Sequence, residues 1–138
     1  MSWSYSQRSL SRLSTCHLDL QLLMREALAD PECPYDITVL EGHRGEERQN
    51  RAVAEGRSRL LWPKSKHNSM PSMAVDVAPY VDGKVSWDWD HYHPLVSHIK
   101  DVWARLVVHE LVTGQYTLTA GADWPTLRDG PHWQLDPK

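Results

Sequence analysis

Three short segments of this sequence set an ionisable side chain beside small or rigid neighbours: SKHNSMPSMAVD, DGPHWQL, and the GHR that follows the first strand-like run. In the first, His67 sits in a loop and Asp76 follows within an apolar, Val-rich stretch. A carboxylate there is costly to bury unless it is paired or metal-bound. If Val75 and Val77 face a core, strand alternation turns Asp76 to the opposite side of the sheet with Ala74, a small neighbour that leaves room for a ligand. The alternative is that Asp76 bonds backbone amides while His67 lies on the surface.

In the second segment His132 follows Gly130 and Pro131 and opens a strand, so its backbone is fixed and its imidazole aimed. Asp129 stands in the turn before it, facing the same opening or capping the turn. Two imidazoles and a carboxylate on a metal, an open position for water and a free carboxylate nearby are what a zinc hydrolase requires. Arg44 follows a strand and a glycine, where a cation can steady the negative oxygen that develops on an attacked amide carbonyl. Its alternative is an ordinary surface pairing with Glu46 or Glu47. Asp123 competes with Asp129 for the base role, or it orders the turn ahead of Trp124. His91 and His93 stand two apart at the start of a helix, where their side chains diverge by ~200°, which argues against a shared metal.

Positioning these groups falls to a series of short elements. Periodicity predicts a helix over about 17–29, capped by Ser14 or Thr15 and ended by Pro31 and Pro34. A strand over 37–40, a turn at Gly42 and a polar helix over about 46–54 stopping at Gly56 come next. Residues 57–72 read as a loop, and 73–80 as a strand that turns at Asp82 and Gly83 into a partner holding Val85 and Trp87. A wide apolar stripe marks a helix over about 93–111 with Gly114 as its stop. Two further strands, 116–119 and 132–135, flank a loop rich in glycine and proline. These elements predict an α+β domain, helices packed on one side of a small antiparallel sheet and the metal on its open face.

Size and charge narrow the classes. The 138 residues, 41% hydrophobic, suit one domain spanning 1–138 with its own core. A formal charge of -3 and scattered Lys and Arg exclude the basic stripe of a nucleic-acid binder. The N-terminal run is polar, without the apolar core of a signal peptide, and no stretch reaches the ~20 apolar residues of a membrane span, so synthesis in the cytoplasm and no membrane insertion are expected. Cys16 and Cys33, the only cysteines, lack CxxC spacing and read as reduced thiols. Seven Trp and no Phe point to a Trp-rich core, with Trp87, Trp89 and Trp133 also suited to offer flat faces to glycan or peptide.

Taken together, the segments resemble the peptidase M15 group of zinc D-Ala-D-Ala carboxypeptidases and phage L-alanyl-D-glutamate endopeptidases over nearly the whole chain. SQRSLSRLSTCHLDL looks like the family's opening helix, EGHRGEERQ is similar to its G-x-R-x-x-x-x-Q segment, SKHNSMPSMAVDVAPY to its SxH...AxD motif, and GADWPTLRDGPHWQL to its closing segment. The loop holding Met70, Pro71 and Ser72 departs from the shorter, glycine-containing loop of many relatives. The resemblance implies a D-Ala-D-Ala carboxypeptidase/hedgehog-like fold, Zn²⁺ held by His67, Asp76 and His132, Asp129 as general base and Arg44 polarising the scissile carbonyl. Asp at 129, where many relatives carry Glu, points to the endopeptidase subgroup. The implied activity is cleavage of the peptidoglycan stem peptide at the L-Ala to D-Glu bond by a monomeric phage or prophage lysis enzyme, made in the host cytoplasm and released to the periplasm and cell wall. The rivals are a D-Ala-D-Ala carboxypeptidase of the same fold and an inactive, metal-containing wall-binding module.

Overall fold

The computed structural model describes residues 3–138; residues 1–2 of the expected domain lie outside the described residues. The elements in chain order are α1 (Gln7–Leu13), α2 (Leu18–Ala29), β1 (Asp36–Glu41), α3 (Glu46–Ala54), β2 (Ala74–Val81), β3 (Lys84–Val85), α4 (Trp89–Val108), β4 (Tyr116–Ala120) and β5 (His132–Pro137). Single 3-10 turns form at Lys66–Asn68 and Gly121–Asp123.

The strands make one antiparallel sheet in the order β1-β2-β5-β4, with β3 paired to β2 at one end. Alternation along β2 and β5 decides what each face holds. Val75, Val77, Trp133 and Leu135 are buried in the core together with Ile37 and Val39 of β1. Against them pack Leu20, Leu23, Met24 and Ala27 of α2 and Leu95, Ile99, Val102 and Leu106 of α4. Each such side chain, fully buried, stabilises the fold by about 1.5–3 kcal/mol. The intervening residues Asp76, His132 and Gln134 fall on the other face, because successive side chains of a strand point to opposite sides. None of α3 belongs to the core cluster; its buried Gln49 serves the opposite face.

Several local expectations are revised. The α2 helix is capped by His17, whose Nδ1 accepts from the Asp19 amide, and not by Ser14 or Thr15, which belong to the break after α1. The α4 helix begins at Trp89 because the Asp88 side chain accepts from the Asp90 amide. It ends at Val108, well before Gly114. Glu110 takes φ 56°, its amide donates to Val107 O and that of Leu111 to Leu106 O, a Schellman motif that satisfies the last carbonyls without glycine. Trp87 lies outside β3 and is 67% exposed.

Both cysteines are free and buried, and burial pushes the Cys16 thiol up to about 12, which keeps it unreactive. Among the described residues no helix is long and apolar enough to cross a membrane.

Candidate metal centre

The β2–β5 ladder sets Asp76 directly opposite His132. The third member arrives from the long loop. Ser65 caps the turn at Lys66–Asn68: its hydroxyl accepts from the His67 amide at 3.2 Å, and Asn68 Oδ1 returns a bond from the Ser65 amide at 2.9 Å. This reciprocal cap is the physical reason for serine two residues before the histidine. The loop that departs from the family pattern is tied down as well, since the fully buried Ser72 bonds through its backbone to Thr15 and His17 at the α1–α2 break.

His67 Nε2 lies 3.2 Å and His132 Nδ1 3.1 Å from the same oxygen, Asp76 Oδ1. The outer nitrogens decide the protonation of the inner ones. His67 Nδ1 is 2.7 Å from Gly42 O, a carbonyl that only accepts, so Nδ1 carries the hydrogen and Nε2 of the neutral ring is a bare lone pair. Gln134 Nε2 donates to Asp136 Oδ1 at 3.0 Å, which turns Gln134 Oε1 toward His132 Nε2 at 2.8 Å. In its neutral form His132 therefore donates from Nε2 and presents a bare Nδ1 to Asp76. Lone pairs of two neutral imidazoles converge on a carboxylate oxygen, an arrangement that a cation between them resolves.

The donor atoms of His67, Asp76 and His132 all lie within 4.8 Å of one another. Separations of 3.1 and 3.2 Å are close to the edge of a tetrahedron with ligand bonds of ~2.0–2.1 Å, roughly 3.3 Å. Nitrogen and oxygen donors in this number, with acceptors behind both rings, fit a divalent ion of the zinc type.

Electrostatics match. Without metal a proton on the rings takes the cation's place: burial opposes the charge of Asp76, but positive charge on His67 and the hydrogen bonds that protonated His132 and His67 donate outweigh it and hold its carboxyl far below the usual range. Burial also opposes charge on His132, yet the hydrogen bond and charge of Asp76 hold its pKa above the ordinary value. Asp129 behaves differently: burial, reinforced by the charge of Asp76, raises its pKa. It is not bonded into the triad through its side chain and faces the same cleft, as a proton acceptor must.

That cleft has a volume of about 570 Å³, and Arg44, His67, Asp76, Asp129 and His132 all line it. Arg44 Nη2 stands 3.9 Å from Asp76 Oδ2. Its guanidinium is fixed by Glu41 through Nε at 3.4 Å and by Gln49 through Nη1 at 2.9 Å. Asp123 is not among the lining residues; it pairs with Lys100 of α4 at 2.6 Å. His91 and His93 diverge, the first bonded to Ser86 Oγ at 2.6 Å and the second stacked on Trp89. Trp133 is core, whereas Trp124 lies against His132 with ring centroids 5.1 Å apart.

Two glycines are required by contact. A β-carbon on Gly42 would lie 2.3 Å from both Arg12 O and Thr15 Oγ1, so only glycine lets this carbonyl reach His67. One on Gly121 would lie 2.5 Å from Asp129 O and 2.9 Å from His132 Cβ, so the loop carrying the free carboxylate closes over a bare backbone. Sequence reasoning assigned no role to Gln49, Gln134, Asp136 or Gly121. Period-two spacing from His132 was the available signal for Gln134 and Asp136.

Comparison with known proteins identifies relatives of the whole chain. Residues 1–135 match the sequence family described as phage L-alanyl-D-glutamate peptidase. The chain is 37% identical over 132 residues to the L-alanyl-D-glutamate peptidase of Escherichia phage T5, covering 94% of this chain and 87% of that protein. It also superposes on the crystal structure of the Serratia marcescens L-Ala D-Glu endopeptidase ChiX with a TM-score of 0.76 and 33% identity, covering 96% of this chain and 90% of that one.

Proposed function

The chain belongs to the phage L-alanyl-D-glutamate peptidase family, and we propose that its cleft hydrolyses the L-Ala to D-Glu amide of the peptidoglycan stem peptide with one zinc ion held by His67, Asp76 and His132. The observation that carries this reading is the pair of inner imidazole nitrogens converging on Asp76 Oδ1 in an open cleft. When bound, zinc supplies Lewis acidity that polarises an amide carbonyl and makes water acidic near neutral pH.

The chain's own groups divide the remaining work. Asp129 takes a proton from the attacking water while the water oxygen bonds to the carbonyl carbon of L-Ala. The carbonyl oxygen gains negative charge, and Arg44, already immobilised by Glu41 and Gln49, offsets that charge without reorganising. Asp129 then returns the proton to the nitrogen of D-Glu as the C–N bond breaks. Gly42 O and Gln134 hold the two rings in the tautomers that leave their inner nitrogens free. In this reading the chain acts as a monomer on the wall from the periplasm.

Digestion of purified peptidoglycan followed by mass spectrometry tests the reading. The expected products carry new D-Glu amino termini. Released D-Ala instead identifies a carboxypeptidase, intact stems a binding module, and undiminished activity of metal-free protein refutes the role of zinc.

A further inference from the structure

The chain is acidic overall, at -3, yet its cleft is not. Arg57, Arg59, Lys64 and Lys66, all from one segment, line it together with Arg44, against only Asp76 and Asp129 as carboxylates in the lining. Two of these cations are already engaged, Arg57 with Glu55 at 2.7 Å and Lys66 with Asp136 at 3.5 Å. Arg59 and Lys64 form no ion pair among the described residues, and both are exposed.

The segment that carries them is held in place. The Arg57 and Ser58 amides bond to Ala52 O, Gln49 Nε2 donates to both Ser58 Oγ and Leu60 O, and the Trp62 amide donates to Asn50 Oδ1. One buried glutamine thus fixes the catalytic-side guanidinium of Arg44 and the backbone beneath Arg59. The segment over 124–129 gives the lining Trp124, Thr126, Leu127 and Asp129, and no cation. The cations of the lining, Arg44 apart, thus all come from one segment, 57–66.

The substrate chemistry matches this concentration of cations. The scissile nitrogen belongs to D-glutamate, and the stem continues through the side-chain carboxyl of that residue. Its α-carboxylate, on the carbon bearing the scissile nitrogen, is consequently free and negative. As it approaches the zinc ligands it also nears Asp129 and Asp76, whose repulsion must be offset by fixed cations. We propose that Arg59 and Lys64 bind this α-carboxylate and make the enzyme selective for D-glutamate over its amide, D-isoglutamine, on the leaving-group side. The inference rests on the proposed L-Ala to D-Glu cleavage.

The test compares kcat/KM of the zinc-loaded wild-type protein on two N-acetylmuramoyl stem peptides differing only in D-glutamate or D-isoglutamine. Charge-assisted contacts of this kind lead us to expect a preference of about tenfold for the acid, carried mainly by KM and reduced by added salt. In Arg59→Gln/Lys64→Gln the ratio is expected to fall to near 1, while Arg25→Gln, a charge removed outside this cleft, keeps it. Equal cleavage of both peptides by the wild type, or an undiminished ratio in the double variant, overturns the inference and leaves the proposed function standing. Failure to cut either peptide at this bond overturns both. Should the double variant not fold, Arg59→Gln and Lys64→Gln singly are each expected to lower the ratio, and undiminished ratios in both overturn the inference.

Discussion

Gln49 Oε1 accepts hydrogen bonds from Arg44 Nη1 at 2.9 Å and Asn68 Nδ2 at 3.1 Å, so one fully buried amide of α3 ties the cleft's arginine to the turn that presents His67. Replacing it leaves several buried polar groups unpaired, each at a cost of about 1–3 kcal/mol. Gln49→Leu is expected to lose about 3 kcal/mol in chemical denaturation and to lower kcat more than zinc content, because Arg44 is released while the three ligands remain. Wild-type stability and kcat in this variant would show that the amide positions nothing.

Gly121 is the point where two parts of the site touch. Adding a methyl there forces Asp129 O or His132 Cβ to move, since the new carbon would lie 2.5 and 2.9 Å from them. Gly121→Ala is expected to weaken zinc binding in competition with a chelator and to reduce kcat together. Overpacking of this kind costs about 1–3 kcal/mol. Unaltered zinc affinity and turnover would mean that the loop accommodates the methyl elsewhere.

Asp129 and the three ligands are expected to separate in their phenotypes. Asp129→Asn keeps its shape and loses its capacity to take a proton, so zinc should stay bound while turnover falls by about 10²–10⁴. His132→Ala should lose both. Metal analysis and peptide cleavage on the same preparations check this, and a fully active Asp129→Asn would assign the base to another group.

Among the three ligands, Asp76 and His132 have pKa values displaced in opposite directions, and each makes stability depend on pH. Without metal, the hydrogen bond and charge of Asp76 overcome burial and raise His132 above 6.5. The stabilisation this gives is complete below about 6.5 and is lost as pH rises through the folded value. Asp76 is held well below 3.8, so its contribution is present above about 3.9 and lost as pH falls further. Chelated protein should therefore be most stable between about pH 4 and 6.5 and should weaken on the alkaline side. Zinc should cancel the alkaline loss, because it binds the unprotonated nitrogens. Melting curves from acid to alkaline pH, with chelator and with zinc, test the difference; identical alkaline loss in both would count against metal at these nitrogens.

The fold was readable wherever a local pattern has a local cause. The alternation around Asp76 put Val75 and Val77 in the core and the carboxylate on the open face, and the polar helix over 46–54 stands as expected. All five site residues named from sequence line one cleft. What stayed hidden depends on contacts distant in the chain. Gln49 and Gly42 are marked only through the resemblance to a G-x-R-x-x-x-x-Q segment; nothing local shows that the glutamine is buried beneath the arginine or that Arg12 O lies where a side chain at 42 would be. Helix ends were missed for a related reason: His17 caps through Nδ1 and Glu110 adopts the conformation usually left to glycine, both outside ordinary sequence signals.

Anomalous diffraction at the zinc edge on crystals of the zinc-loaded protein tests the central claim most directly. The expected result is one peak at ~2.0–2.2 Å from His67 Nε2, His132 Nδ1 and a carboxylate oxygen of Asp76. A peak held by other side chains, or none at this triad in protein that cleaves its substrate, would contradict it.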